Sequence, residues 1–305
     1  MLRPYLQLVR APAVFSSMSN AFAGWFIGRA VVQHAGGAPS PVWALFLGLV
    51  SAALFLMAGM ALNDIADLKV DRAERPGRPL PSGQVSVTQA WRLVAAFFAV
   101  GLLLLGIANP VAATVAVFLV AAIFQYNFVL KGTFLGPLSM GLCRVLNLAT
   151  GVALSLPSFS AFGALPPAVF GVLVSLGFYV VLVTFLARDE VQGNSLRRVK
   201  WFMTGFAAWF AGWAAYASTV RSWVSVGVVI VLIVHFWLLK NAIAGLRGQP
   251  TSPAATGKTV GGLLGAMPAT DALAMLAAGV ALPWALAGLL WMLPGKWLAR
   301  RFYST

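Results

Sequence analysis

VWALFLGLVSAALFLMAGMALNDIADLKVD, residues 42–71, joins an apolar run at 42–62 to an acidic one that begins at Asn63. The apolar part has about the length that crosses a bilayer as a helix. Eight further stretches of this kind lie at 11–32, 88–107, 110–130, 134–156, 166–186, 201–219, 223–243 and 270–292. The composition agrees: 60% of the 305 residues are hydrophobic and 9% charged, against about 25% charged in an average soluble domain. Lipid offers the backbone no hydrogen-bond partners, and these segments lack the apolar/polar alternation of barrel strands, so they read as helices. The expectation is an all-α, polytopic membrane bundle of about nine transmembrane helices, forming one domain over residues 1–305.

The single cysteine, Cys143, falls inside a span, so an intrachain disulfide is ruled out; His34 and His235, the two histidines, lie on well-separated elements. A histidine-rich zinc or haem site is therefore not expected, and a metal would be held by oxygen. Ala21-Phe22-Ala23 superficially matches a signal-peptidase site, but Pro12, Ser16, Ser17, Ser19 and Asn20 leave a poor apolar core, and the segment reads better as a first helix. With a cytoplasmic N-terminus, 15 of the 21 Lys and Arg fall on the inner side and five on the outer, Arg29, Arg221, Lys296, Arg300 and Arg301. That asymmetry follows the positive-inside rule, so the net charge of +14 reports topology rather than nucleic-acid binding. The outward count for the C-terminal bases fits poorly and points to a miscounted helix near 244–269. Location in a bacterial inner membrane, with the acidic loops in the cytoplasm, is the expectation.

Seven carboxylates exist: Asp64, Asp67, Asp71, Glu74, Asp189, Glu190 and Asp271. Six sit in two loops separated by four spans, an even number, so both loops emerge on one face whichever way the protein is inserted. Asp271, at the start of the ninth span, is expected on that face too. Spacings of three and four align side chains on a helix, so Asn63, Asp67 and Asp71 should form a ladder with Asp64 alongside. Stacked like charges repel and call for a cation, and Mg²⁺ characteristically takes one or two carboxylates plus substrate phosphate oxygens. Lys69, Arg72, Arg75 and Arg78 follow, suited to phosphate oxygens. A solvated loop whose charges neutralise one another is the alternative.

At these residues the chain resembles the UbiA superfamily of intramembrane prenyltransferases. Asn63 to Asp71 matches that family's first aspartate-rich motif, NDxxDxxxD, and Glu74-Arg75-Pro76-Gly77-Arg78-Pro79-Leu80-Pro81-Ser82-Gly83 resembles the segment that follows it. Tyr126-Asn127-Phe128-Val129-Leu130-Lys131 is similar to its tyrosine-and-lysine segment. The resemblance implies transfer of a prenyl group from an isoprenyl diphosphate to a hydrophobic, aromatic or lipidic acceptor, with two Mg²⁺ ions between diphosphate and aspartates. It makes Asn63 and Asp67 metal ligands and Asp64 and Asp71 further ligands or supporting groups. Lys131 and Arg72 would contact diphosphate, as would Arg75 and Arg188, with Tyr126 orienting it. The second motif departs from the family pattern: with Gly193 aligned, Ala187, Glu190 and Asn194 occupy the usual acid positions, and Asp189 stands beside them. In this degeneracy the chain resembles the UbiA-like EboC subgroup. Glu190, with Asp189, is then the anionic support left for a weakly held second Mg²⁺, and Asn194→Asp should lower the Mg²⁺ requirement.

Arg144 lies about ten residues into the fifth span, where an arginine is costly in lipid and faces the bundle interior. With Asn147 one turn away it could bind an acceptor carboxylate or the diphosphate, or cap carbonyls of a neighbouring helix. Asn20 is a weaker candidate, as an interhelical hydrogen-bonder. The competing function is a carrier or lipid-binding protein that keeps the diphosphate site without chemistry. Against ion coupling stands the reading that no carboxylate lies deep in a span. The oligomeric state is not legible.

Overall fold

A computed structural model of the chain describes residues 3–38, 40–188, 194–220, 223–295 and 297, and within them it is all-helical. A short helix α1 (Arg3–Leu8) precedes a 3-10 turn and the first long helix α2 (Val14–His34). The acidic run joins α3 (Val42–Ala66) to α4 (Leu68–Glu74). Next come α5 (Val87–Ala108), which opens on a Ser86/Gln89 capping box, and α6 (Pro110–Gln125), which passes into a π-turn at Tyr126–Leu130. The later helices are α7 (Gly136–Ala153), α8 (Phe159–Gly163), α9 (Pro167–Ala187), α10 (Leu196–Thr219), α11 (Trp223–Gly248), α12 (Pro253–Gly265), α13 (Met267–Ala277) and α14 (Leu282–Leu289).

Among the described residues six segments are long and apolar enough to cross a membrane: Val42–Ala66, Val87–Ala108, Pro110–Leu130, Pro167–Ala187, Trp223–Gly248 and Pro253–Ala277. Helices α2, α7 and α10, of 21, 18 and 24 residues, are comparably long but less apolar. Their polar residues explain the difference: Ser17, Ser19 and Asn20 on α2 and Asn147 and Thr150 on α7 are buried in the bundle, where small and hydroxylated residues bring helices together in the absence of a hydrophobic drive.

Two hydrophobic cores meet along α2 and α7. One gathers α2, α7 and α9 to α14, and the other α1 to α7. At the shared seam the backbones touch. A Cβ on Gly151 would stand 2.6 Å from the Ala21 carbonyl oxygen, and one on Gly24 would stand 2.8 Å from the Gly151 Cα. Glycine at both positions is what lets α2 lie against α7, and this sets Ser16 and Asn20 beside Arg144 and Asn147.

The C-terminal part corrects the expected ninth span at 270–292. The chain reverses at Gly279, whose φ is +80°, and Pro283 opens α14. The long apolar segment lies earlier, at Pro253–Ala277. Asp271 is consequently not at the membrane face: it is 1% exposed, within α13, inside the bundle. Gly279 lies near His34, at the far end of α2, whereas Gly295 lies against Pro12 and Phe15 at its near end. The segment after α13 therefore returns to the end of the bundle that carries Asp64, and the expected outer placement of the C-terminal side is revised for the residues up to Gly295.

Candidate active site

Asn63 and the three aspartates form two pairs, Asp64 with Asp71 and Asn63 with Asp67, rather than one ladder. Hydrogen bonds from Asp67 N to Asn63 O and from Asp71 N to Asp67 O, both 2.9 Å, carry the α3 ladder through into α4. At 3.6 residues per turn, positions 63 and 71 diverge by about 80°, whereas positions 64 and 71, seven apart, diverge by only about 20°. Asp64 and Asp71 accordingly share Arg78, whose Nη1 lies 3.5 Å from Asp64 Oδ1 and 2.6 Å from Asp71 Oδ2. Arg10 reaches Asp64 Oδ1 at 3.2 Å, and Arg75 stands 3.9 Å from Asp71. Both carboxylates are buried, at 4% and 3% exposure. Ion pairing to arginines is what makes such burial tolerable.

The other pair faces Lys131. Its Nζ donates to Asn63 Oδ1 at 2.8 Å and pairs closely with Asp67, while Asn63 Nδ2 donates to Asp67 Oδ2 at 3.1 Å. The π-turn sets this up, because Lys131 N bonds to Tyr126 O, five residues back, at 2.8 Å; such insertions recur at functional sites. One amide oxygen and one carboxylate oxygen thus converge on a single cationic point, a donor set that suits Mg²⁺ with phosphate and water as its other ligands. Among the described residues no three His, Cys, Asp or Glu side chains gather at one point.

Asn63, Tyr126 and Arg10 line the mouth of a cavity of about 640 Å³ in the middle of the bundle. Its walls are apolar, with Phe55, Leu119, Ile123, Val180 and Met267 among them, while Arg144, Asn147 and Ser16 form a polar patch. An anionic headgroup at the aspartates could send a hydrocarbon chain into this space.

Residues 21–189 match the UbiA prenyltransferase family. The chain belongs to that family. It is 31% identical over 203 residues to digeranylgeranylglyceryl phosphate synthase of Methanosarcina mazei, a match covering 64% of this chain and 68% of the relative. To the enzyme of the same name from Saccharolobus solfataricus it is 27% identical over 206 residues, 67% of this chain and 68% of the relative. Among solved structures, the fold is shared with a UbiA homolog from Aeropyrum pernix (TM-score 0.66, 19% identity, 85% of this chain and 97% of that one). It is also shared with a UbiA homolog from Archaeoglobus fulgidus bound to GPP and Mg²⁺ (TM-score 0.63, 17% identity, 94% and 99%).

Within this UbiA fold the remaining sequence expectations fall as follows. Arg188 Nη2 donates to the Gly132 carbonyl oxygen at 3.3 Å, which places the start of the second loop at the same end as Lys131. Asp189 and Glu190 lie outside the described residues. Asn194 is 2% exposed and acts as a clamp, its Nδ2 donating to Leu186 O at 3.0 Å and to Thr256 Oγ1 at 3.1 Å. Its amide nitrogen is committed to structure, so the expected gain from Asn194→Asp is withdrawn. Arg72 is exposed on α4 and stays outside the cluster. Arg10 and Arg78 take the places nearest the carboxylates. Sequence reading did not single out Arg10, which reaches Asp64 from 54 positions away through a turn where its own φ is +47°, a conformation unusual for a side chain of this size.

Asp271, Asn20 and Asn147, all buried, meet the half-buried Arg144 in one polar cluster. Ser19 Oγ and Asn20 Nδ2 donate to the two Asp271 oxygens at 2.5 and 2.6 Å. Arg144 donates to Asn20 Oδ1 at 3.4 Å and to Ser16 Oγ at 3.2 Å, and Asn147 donates to the Ser17 carbonyl at 3.0 Å. The expectation that no carboxylate lies deep in a span is overturned by Asp271.

Proposed function

We propose that this chain transfers a prenyl group from an isoprenyl diphosphate to a hydrophobic, lipid-type acceptor within the membrane. The observation that carries this reading is the convergence of Asn63 and Asp67 oxygens on one cation at the mouth of an apolar cavity. Membership of the UbiA prenyltransferase family and the names of the synthases it resembles support it; the Mg²⁺ and GPP of the Archaeoglobus fulgidus homolog support the metal and the donor class.

Asn63 and Asp67 would hold one Mg²⁺, with Asp64 and Asp71 as its supporting anions; Asp189 and Glu190 would hold a second, weaker ion. When bound, the metal stabilises the charge that accumulates on departing diphosphate. Arg10, Arg78 and Lys131 are already ordered around the carboxylates and are free to turn their remaining donors to phosphate oxygens, which a preorganised site does without reorganisation cost during reaction. Tyr126 lines the cavity together with Asn63 and would orient the headgroup. The apolar wall excludes water from an allylic cation until the acceptor attacks.

We read residues 1–305 as one domain of about nine crossings; the sharing of α2 and α7 by both cores supports the single domain. Its acidic end faces the cytoplasm of a cell whose cytoplasmic membrane holds it. Purified protein with Mg²⁺ should release diphosphate from geranyl, farnesyl or geranylgeranyl diphosphate in the presence of a glycerol-lipid or aromatic acceptor, and chelation should stop it. Binding of prenyl diphosphate with no release under any acceptor would favour a carrier instead.

A further inference from the structure

Arg144 is placed as a ligand-binding group rather than as half of an ion pair. It lies between the helices of the bundle, yet it keeps accessible surface, and that surface belongs to the cavity wall. An arginine with only a structural role inside a membrane bundle pairs with a carboxylate or caps backbone carbonyls, and its carboxylate contacts are frequently two-pronged and near 2.8 Å. Arg144 instead donates to two neutral oxygens at 3.2 and 3.4 Å, although Asp271 is one residue beyond. Asn20 stands between them: its Nδ2 occupies one Asp271 oxygen and its Oδ1 receives Arg144, while Ser19 occupies the other oxygen. Asn147 sends Nδ2 to Asn20 Oδ1 at 3.4 Å and holds the amide in this orientation. Of the five guanidinium N–H donors, those not used by Ser16 and Asn20 remain for a partner in the cavity.

We propose that Arg144 is an anion receptor on the cavity wall, separate from the aspartate cluster, which takes the acidic headgroup of the acceptor, and that Asn20 is the spacer that stops Arg144 from collapsing onto Asp271. The assignment of the bound anion to the acceptor rests on the prenyl-transfer reading; the binding site itself does not. Phosphate monoesters and carboxylates share the chemistry required, and an apolar body on the ligand would lie along the Phe55, Leu119 and Val180 walls.

The test is calorimetric titration of the full chain in detergent with decyl phosphate and, as neutral twin, decanol, and separately with decanoate. It is run with the donor site filled by Mg²⁺ and a non-hydrolysable geranyl thiodiphosphate, and again in a Lys131→Ala background, so that the cation beside Asp67 cannot supply the signal. The expected result is a preference for decyl phosphate over decanol that Arg144→Gln reduces by about tenfold or more and Arg144→Lys reduces less. Asn20→Ala should also lose the preference, because Arg144 is then drawn to Asp271, and the Asn20→Ala/Asp271→Asn double variant should regain it. A role confined to helix packing would make the double variant worse than either single one, and that outcome overturns the proposal, as does an unchanged preference in Arg144→Gln. Decanoate binding in place of decyl phosphate binding would assign a carboxylate headgroup. Anion preference without any prenyl transfer would sink the enzymatic reading and leave the receptor standing.

Discussion

Asp67 and Asp64, three residues apart, should respond differently to the same chemical change. Asp67 is about a third exposed, bonded to Asn63 and Lys131 at the cavity mouth, and contributes little to packing. Asp67→Asn should therefore lower prenyl transfer by about 100-fold or more, the scale for losing a preorganised charge interaction with a developing anion, while the melting temperature stays within a few degrees. Unchanged Mg²⁺ dependence would remove Asp67 from the site. Asp64 is buried between Arg10 and Arg78. Asp64→Asn takes the carboxylate from Arg10 and leaves Arg78 with Asp71 alone, and the partly exposed arginines limit the cost to about 1–3 kcal/mol, measurable by denaturation in mild detergent. Both residues were legible as site candidates, since spacings of three and four are read directly from sequence. Their division into two pairs was harder to read, because a four-residue repeat drifts around a 3.6-residue helix. Arg10 was beyond local reading, as only the fold brings α1 back across the end of α3.

Elements were legible where an apolar run had the length of a span, and less so where the chain reverses. Hydropathy found the helices α2, α3, α5, α6, α7, α9, α10 and α11, with ends shifted by a few residues. It misplaced the last spans because a sliding apolar window does not register chain reversal, although Gly279 and Pro283 carried the local signal for one. The same error set Asp271 at a membrane face and concealed its partnership with Ser19 and Asn20. Two substitutions test element-level assignments. Gly151→Val puts a branched side chain where even a Cβ has only 2.6 Å to the Ala21 carbonyl, so it should separate α2 from α7, disperse the Arg144 cluster, and lose both folded yield and activity. Asn194→Asp sets a carboxylate against the Leu186 carbonyl oxygen in place of an amide donor. Thermal stability should fall by about 1–3 kcal/mol equivalent, and the Mg²⁺ concentration for half-maximal rate should not decrease; a lower requirement would return Asn194 to the metal site.

At the scale of the whole molecule, the question is which loops share a face. Asp64, Lys131 and Arg188 gather at one end through the Lys131–Asp67 and Arg188–Gly132 contacts. The other end gathers Ser40 with Ser155, and Asn109 with the Leu156 carbonyl. Parity counting had already joined the two acidic loops, because four spans separate them wherever their boundaries fall. It failed at the C-terminal side, where one further apolar helix reverses every later assignment; the poor fit of the C-terminal bases had pointed to a miscount near 244–269, and Pro253–Ala277 lies there. Gly295 against Pro12 and Phe15, with the Trp291 ring 6.4 Å from that of Phe15, returns this part of the chain to the acidic end. Single cysteines in a Cys143→Ala background give the test, since Cys143 is the one native thiol. Ser82→Cys and Gly295→Cys should react with an impermeant maleimide only when the cytoplasmic face is open to it, and Ser158→Cys only from the opposite face. Labelling of Gly295→Cys together with Ser158→Cys would mean that the segment after α13 does not return, and that the outer C-terminal side read from the sequence was right.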